Sequence, residues 1–189
     1  MSREDILEAA AQIISVKGFH GTSMQDIAKA VDLRKASLYH HISSKQEILV
    51  ELLDTALDML IEELERVVSQ PVSPEEKFRF AMRSYVKSLT ENHDLSTVLI
   101  FEHRSLEPKF RRRHIPKRDR YETLWREIIE EGVSKKVFNS QDPLLDVKFV
   151  LGVANWTIMW YDPGGTYSAD QIADRSTEML LSGLKIRKK

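Results

Sequence analysis

Cationic side chains with hydrogen-bonding neighbours concentrate in two short stretches of the sequence. Arginine and lysine pair with phosphate oxygens, and the arginine fork matches them in a bidentate manner. Both stretches are therefore candidates for binding an anion, either nucleic acid or a phosphorylated small molecule. The first contains Arg34, Lys35, Ser37, Tyr39, His40 and Lys45, and the second contains Lys109, Arg111, Arg112, Arg113, Lys117, Arg118 and Arg120.

Catalytic and metal-binding patterns are missing from the sequence. It contains no G-x-S-x-G, H-E-x-x-H, G-x-x-x-x-G-K or G-x-G-x-x-G motif. His40 and His41 are neighbours, so on a helix their side chains point about 100° apart, and no third ligand is near. We therefore predict no metal site, no cofactor and no enzymatic activity.

The composition is that of a globular protein without a general affinity for polyanions. The chain has 189 residues, of which 42% are hydrophobic and 30% charged, and its formal net charge is −1. Any nucleic-acid binding must therefore come from a local patch. The absence of cysteine excludes disulfides, thiolate zinc sites and a cysteine nucleophile. Neither a signal peptide nor a run of ~18–20 uncharged residues is evident, so we expect a soluble, cytoplasmic protein.

Hydrophobic residues recur with helical spacing throughout, which predicts an all-α fold. The first helix spans about residues 3–17 and stops at Gly18, and Ser23 caps a second helix that ends near residue 31. Asp32 tolerates the left-handed turn that leads to a third helix over residues 34–41. Two short helices joined by a tight turn form a helix-turn-helix unit, in which the second of the two enters the DNA major groove.

A long helix over residues 44–69 leaves this unit and places a domain boundary near its start. We predict a DNA-binding domain at 1–47 and a ligand-binding and dimerisation domain at 48–189. The segment 143–161 is apolar on nearly every side, so it must be covered, and with the last helix it predicts a homodimer interface. The other expected helices span about 74–90, 95–104 and a stretch ending near 134 with a kink at Pro116; the tail 185–189 should fray.

The helix-turn-helix unit predicts a set of DNA contacts. Base edges would meet the third helix, whereas phosphates would meet Lys45 and the start of the second helix. The alternative is an interaction module that never binds DNA, because residues 1–50 hold six basic and six acidic side chains. The predicted DNA-binding residues are Thr22, Ser23, Arg34, Lys35, Ser37, Tyr39, His40 and Lys45.

The N-terminal sequence resembles the TetR family of transcriptional regulators. The resemblance lies in Thr22-Ser23-Met24-Gln25-Asp26-Ile27-Ala28, in Ser37-Leu38-Tyr39-His40-His41-Ile42 and in Lys45-Gln46-Glu47-Ile48-Leu49. Asp32 replaces the glycine common in the turn, and Ile42 replaces the usual phenylalanine; both keep the required conformation or apolar character. The resemblance implies a homodimer on a palindromic operator, acting as a ligand-responsive regulator and most often as a repressor.

The C-terminal half looks like the TetR subgroup that senses acyl-CoA thioesters. The spaced pattern includes Arg118-Asp119-Arg120-Tyr121, Trp125, Asn155-Trp156 and Trp160-Tyr161-Asp162-Pro163. An acyl-CoA would place its chain among aromatic residues and its phosphates near arginines. The predicted ligand-binding residues are Phe101, Arg104, Arg113, Arg118, Arg120, Tyr121, Trp125, Asn155, Trp156, Met159 and Trp160.

Three alternatives stay open for this half of the chain. The second cationic stretch, residues 109–120, is called the basic run. It is also compatible with a solvated helix face, in which case the protein senses multidrug-like or other hydrophobic ligands. The aromatic residues are also compatible with a packed core or a dimer interface, and Asn155 with a helix–helix hydrogen bond. Less expected is a helical acyl-CoA-binding protein that does not bind DNA.

Overall fold

The computed structural model describes residues 2–185, which form nine α-helices and no strand, as an all-α fold requires. Residue 1 and residues 186–189, which the predicted domains include, lie outside the described part. The fraying that we predict for the tail concerns these same residues 186–189. Within that part no helix is both long and apolar enough to cross a membrane. The helices are α1 (Arg3–Gly21), α2 (Met24–Ala30), α3 (Lys35–His41), α4 (Lys45–Val68), α5 (Pro74–Glu91), α6 (His93–Glu102), α7 (Pro108–Ser134), α8 (Pro143–Trp156) and α9 (Ala169–Leu184).

Helix starts follow the local capping signals. Ser23 caps α2 and Ser168 caps α9, each through a reciprocal capping box with the residue three positions later, Asp26 or Gln171. Such a box satisfies two of the amide groups that a helix N-terminus leaves without partners. These starts therefore depend on residues next to one another in the sequence.

The regular part of α1 stops at Gly18, as predicted, because the backbone there is not helical: its φ of 73° is positive, which favours glycine, and its ψ is 162°. A short helical stretch follows this break and ends at Gly21. Pro116 lies inside α7. α8 ends at Trp156 and a 3₁₀ turn, Thr157–Met159, follows it, so the predicted helix to residue 161 is too long.

The first of two compact units comprises residues 1–58 and 92–118. Its core joins the first three helices to the start of α4, and α6 packs along α1. Because α6 and the first part of α7 belong to this unit, it is discontinuous in sequence, whereas the predicted boundary is a single cut at residue 47. Fully buried core side chains include Ile6, Ile14, Ile27, Leu38, Ile48, Leu53 and Val98.

The second unit comprises residues 59–91 and 119–189, and α5 packs along α9 within it. Phe78 lies at its centre, with ring centroids 5.9 Å from Trp125 and 6.2 Å from Phe138 in edge-to-face contacts. A Cβ atom on Gly132 would lie 2.0 Å from a ring carbon of buried Phe138. Glycine is therefore required at position 132 for the ring to fit.

Candidate nucleic-acid interface and effector region

The turn between α2 and α3 has the geometry of a helix-turn-helix unit. Asp32 adopts the left-handed conformation with a φ of 52°, as predicted. The amide of Leu33 then donates to the Ala28 carbonyl at 2.8 Å, which closes the turn. Ala28 and Leu38 are fully buried, so they hold the two helices together.

The outer face of α3 presents unpaired cations beside hydrogen-bonding groups. Arg34, at the N-cap, and Lys35 are exposed, and within residues 2–185 neither side chain forms a hydrogen bond or an ion pair. Tyr39 is 46% exposed and His40 is exposed, whereas Ser37 is half-buried. The structure thus brings five of the predicted DNA-binding residues together on one short helix.

The other predicted DNA-binding residues use their polar groups in hydrogen bonds to the protein itself. Thr22 is buried and its hydroxyl donates to the Gly18 carbonyl at 2.9 Å, while the Ser23 hydroxyl is engaged in the α2 capping box. The Lys45 ammonium donates to the Phe19 and Thr22 carbonyls at 2.7 and 2.6 Å. An ammonium has three N–H groups, so one N–H of Lys45 is left for a phosphate.

Arg3 holds α3 in place and is absent from the predicted site. Its guanidinium donates to Glu47 at 2.7 Å, to Glu51 at 3.0 Å and to the carbonyl of His41, the last residue of α3. Hydrogen bonds to Glu51 and then Glu47 raise the pKa of Arg3 above its usual value. Glu47 and Glu51 are four residues apart on α4, which is the only sequence signal for such a shared partner.

Cations at the start of α7 are paired with carboxylates of α4. Arg113 Nε lies 3.1 Å from Asp54 Oδ2, and His114 Nδ1 lies 3.1 Å from Asp54 Oδ1. Lys117 donates to Asp58 at 2.6 Å. Burial alone would raise the pKa of Asp54, but the His114 hydrogen bond and the Lys117 and Arg113 charges outweigh it and lower that pKa.

Other cations of the basic run also bind acceptors within the protein. In the second unit, Arg120 donates to Glu65 at 2.8 Å and to Glu127 at 3.2 Å. In the first unit, Arg111 donates to the carbonyls of Arg104 and Leu106. The run therefore resembles a structural helix face more than an open anion site. Arg104 and Arg112 are exposed, and their side chains have no acceptor among the described residues.

Two predicted ligand aromatics belong to the core of the second unit. Trp125 is fully buried, with its ring centroid 6.3 Å from that of Tyr85, and buried Tyr121 lies 5.7 Å from the same ring. Burial raises the pKa of both tyrosine hydroxyls. Asn155 Oδ1 accepts a hydrogen bond from the Tyr85 hydroxyl. This is the helix–helix hydrogen bond that the sequence offered as the alternative to a ligand contact.

The remaining predicted ligand residues are distributed over both units. Trp156, Met159 and Trp160 are 63%, 54% and 50% exposed, so they lie outside the core that encloses Trp125. Phe101, which is 47% exposed, belongs to the first unit together with Arg104, Arg113 and Arg118. A helix that is apolar on all sides gives no sequence signal for which face turns inward.

Two family models cover most of the chain. The model described as bacterial regulatory proteins of the tetR family matches residues 6–52, the helix-turn-helix and the start of α4. The model described as a tetracyclin repressor-like C-terminal domain matches residues 71–184. The chain belongs to the TetR family. This membership makes it a transcriptional regulator rather than an enzyme.

Several TetR regulators are similar to this chain over nearly their full length. The repressor KstR2 of Mycolicibacterium smegmatis is 28% identical, with 96% of this chain and 90% of the relative covered. The crystal structure of PfmR from Thermus thermophilus is 36% identical with a TM-score of 0.86, covering 96% and 99%. AibR in complex with isovaleryl coenzyme A and operator DNA is 29% identical with a TM-score of 0.88, covering 95% and 97%.

Proposed function

We propose that this TetR regulator is a repressor that binds a palindromic operator as a homodimer and is released by an acyl-CoA thioester. The observation that carries the DNA-binding part is the unpaired Arg34 and Lys35 on the exposed face of α3. The acyl-CoA part draws on the similarity to AibR, whose structure holds isovaleryl coenzyme A together with operator DNA. Operator binding also places the protein in the cytoplasm.

In this proposal α3 enters the major groove, where Lys35 and Tyr39 contact base edges and Arg34 contacts the flanking backbone. Ser37 and His40 complete the readout surface of the helix. Ser23 caps the start of α2, and the hydroxyl of Thr22, the residue before it, donates to the Gly18 carbonyl. The remaining N–H of Lys45 binds a phosphate. Because Arg3 ties the end of α3 to α4, it fixes the angle at which the recognition helix is presented.

A homodimer is supported by the exposed apolar face of α8. Large side chains remain exposed along this helix, and a Cβ atom on Gly152 would meet nothing within 4 Å. A continuous patch of this kind marks a protein interface, and pairing α8 and α9 with their symmetry mates would cover it as a four-helix contact. The exposed residues are Leu144, Leu145, Phe149, Val153 and Trp156.

For the effector, the phosphates of an acyl-CoA would have to draw arginines away from carboxylates. Arg113 and Arg120 now pair with Asp54 and Glu65, whereas Arg104 is free to bind without such an exchange. Asp54 and Arg113 belong to the same unit as α1, α2 and α3, so an exchange at this pair would act within the unit that binds DNA. A coupling of about 1–3 kcal/mol is typical of such regulators.

A second candidate, a sensor of multidrug-like or other hydrophobic ligands, is favoured by the pairing of Arg113, Lys117 and Arg120. If these cations serve structure alone, no phosphate group is required of the effector. The two candidates share the fold, the operator and the dimer. They differ in whether the charged part of a thioester contributes to binding.

One experiment separates them. Fluorescence anisotropy of a labelled DNA fragment from upstream of the gene should show binding by the wild-type protein and release by a long-chain acyl-CoA. The matched free fatty acid should release it far less, and added salt should weaken the thioester more than the acid. Equal potency of acid and thioester would favour the sensor of multidrug-like or other hydrophobic ligands, and absence of DNA binding would refute the repressor.

A further inference from the structure

A concave pocket of about 490 Å³ lies beside the N-terminal half of α9, within the second unit. Four of its lining residues come from successive turns of α9 and two aromatic residues come from the segment that precedes this helix. The volume falls in the range of small-molecule sites, and aromatic and aliphatic groups make up most of the wall. The lining residues are Trp160, Tyr167, Gln171, Ile172, Arg175 and Ser176.

Among the arginines of this unit within residues 59–91 and 119–185, Arg175 is the one whose side chain has no acceptor. The others each form an ion pair, so their charge is already neutralised. An arginine left without a carboxylate in the wall of an apolar pocket can bind an anionic group without breaking an existing pair. The paired arginines are Arg66, Arg79, Arg83, Arg120 and Arg126.

The acidic side chains of α9 do not line the pocket. Asp170 and Asp174 are four residues apart, and Asp174 accepts a hydrogen bond from Arg83 of α5 at 2.6 Å. Gln171 and Arg175 are likewise four residues apart but belong to the adjoining row of the helix, the one that lines the pocket. The pocket wall thus carries one cation and no carboxylate.

The remaining polar groups of the wall leave mainly donors for a ligand. The Gln171 side-chain oxygen already accepts the Ser168 amide at 2.9 Å, so its NH₂ group is what remains. The Ser176 hydroxyl donates to the Ile172 carbonyl at 2.7 Å. A ligand that complements this wall has an apolar body and an anionic head.

We propose that this pocket binds a small amphipathic monocarboxylate, with its carboxylate on Arg175 and its apolar tail against Trp160, Tyr167 and Ile172. A single guanidinium fork matches one carboxylate in a bidentate manner, whereas a phosphate or a CoA group carries more charge than one arginine neutralises. This ligand is different from the acyl-CoA effector proposed above, and its binding does not depend on that effector.

Isothermal titration calorimetry of the full-length protein tests this, with octanoate as the probe. Arg175→Gln should weaken octanoate binding by about 10- to 100-fold, the effect of losing a charge-assisted hydrogen bond. Arg66→Gln is the matched control, since Arg66 is an exposed arginine of α4 outside the pocket, and it should leave the affinity unchanged. Octanol should bind wild-type protein and Arg175→Gln equally, because it lacks the charge.

Three outcomes would overturn the proposal. They are no binding of octanoate by the wild-type protein, equal octanoate affinity in the Arg175→Gln variant, and tighter binding of octyl phosphate than of octanoate. A shift of the sedimentation coefficient in the Arg175→Gln variant would assign the pocket to a contact between copies of the chain instead. Operator binding and release by acyl-CoA should stay unchanged in Arg175→Gln, so failure here and failure of the proposed repressor function are distinguishable.

Discussion

Both α3 and the start of α7 carry cations, yet the two helices use them differently. On α3, Arg34 and Lys35 are exposed and have no ion pair among the described residues. On α7, Arg113 and Lys117 lie against the carboxylates of Asp54 and Asp58. Arg34 and Lys35 are therefore open to an external anion, whereas Arg113 and Lys117 are engaged internally.

The difference shows that a basic run in a sequence does not identify an anion site by itself. A free cation binds phosphate at the cost of its own hydration, whereas a paired cation must first lose its partner. For Arg113 that partner is Asp54, which is 4% exposed and also receives a hydrogen bond from His114. Ligand competition on α7 is thus energetically harder than DNA binding on α3.

The largest expected effect follows from removing both base-contacting groups of α3. The double variant Lys35→Ala/Tyr39→Ala should lose more than about 100-fold in operator affinity, because each good base contact contributes about 1–3 kcal/mol. Fluorescence anisotropy with specific and non-specific DNA measures it. The thermal midpoint should stay unchanged, since both side chains are exposed.

Lys87→Ala supplies the control for that variant, because Lys87 is an exposed cation of α5 outside the helix-turn-helix unit. It should bind the operator as the wild-type protein does. An unchanged operator affinity in the double variant would mean that α3 is not the recognition helix.

For the ion pairs at the start of α7, removing the partner carboxylate on α4 should affect stability rather than DNA binding. Asp54→Ala removes the carboxylate shared by Arg113 and His114, and we expect the free energy of unfolding to fall by about 2 kcal/mol. Urea unfolding followed by circular dichroism measures this change. The sign of the pH dependence is fixed by the lowered pKa of Asp54: its stabilisation is present above pH ~4 and is lost as the pH falls through its folded pKa.

The isosteric variant Asp54→Asn should therefore flatten the acid limb of the stability profile. Asp162→Asn is the matched control, because Asp162 is an exposed aspartate in the turn before α9. An acid limb as steep in Asp54→Asn as in the wild-type protein would show that the buried pair contributes nothing.

Features determined by neighbouring residues were predictable from the sequence. The left-handed Asp32 and the capping boxes at Ser23 and Ser168 involve side chains within three residues of the backbone they stabilise. A different case is Lys45, the predicted DNA contact on α4. Two of its three N–H donors are already used within the protein. Its acceptors lie 23 and 26 residues away, beyond any local pattern.

The effector residues were harder to predict because their roles depend on distant partners. Asp54 and His114 are 60 residues apart, and a charge run does not reveal which of its members will be paired. Trp125 and Trp156 both follow helical apolar patterns, yet one is fully buried and the other is 63% exposed. Burial of an aromatic residue in a helix that is apolar on every side is decided by tertiary packing.

The salt dependence of DNA binding sharpens the contrast between the two helices. Arg34→Ala should reduce the slope of log affinity against log salt by about 0.9, because it removes one phosphate contact. Lys117→Ala should leave the slope unchanged, since Asp58 neutralises that charge. Anisotropy titrations over a series of salt concentrations give both values. A reduced slope for Lys117→Ala would place α7 on the DNA and would remove the distinction between the helices.

The smallest expected effect concerns the Lys117–Asp58 pair alone. Asp58 is exposed, so solvent screens the pair, and we expect a coupling energy below about 1 kcal/mol. A double-mutant cycle with Lys117→Ala and Asp58→Ala, read out by urea unfolding, isolates that interaction. The cycle Arg113→Ala with Asp54→Ala serves as the comparison, because the Asp54 carboxylate is buried. It should give the larger coupling, and equal values would mean that burial does not distinguish the two pairs.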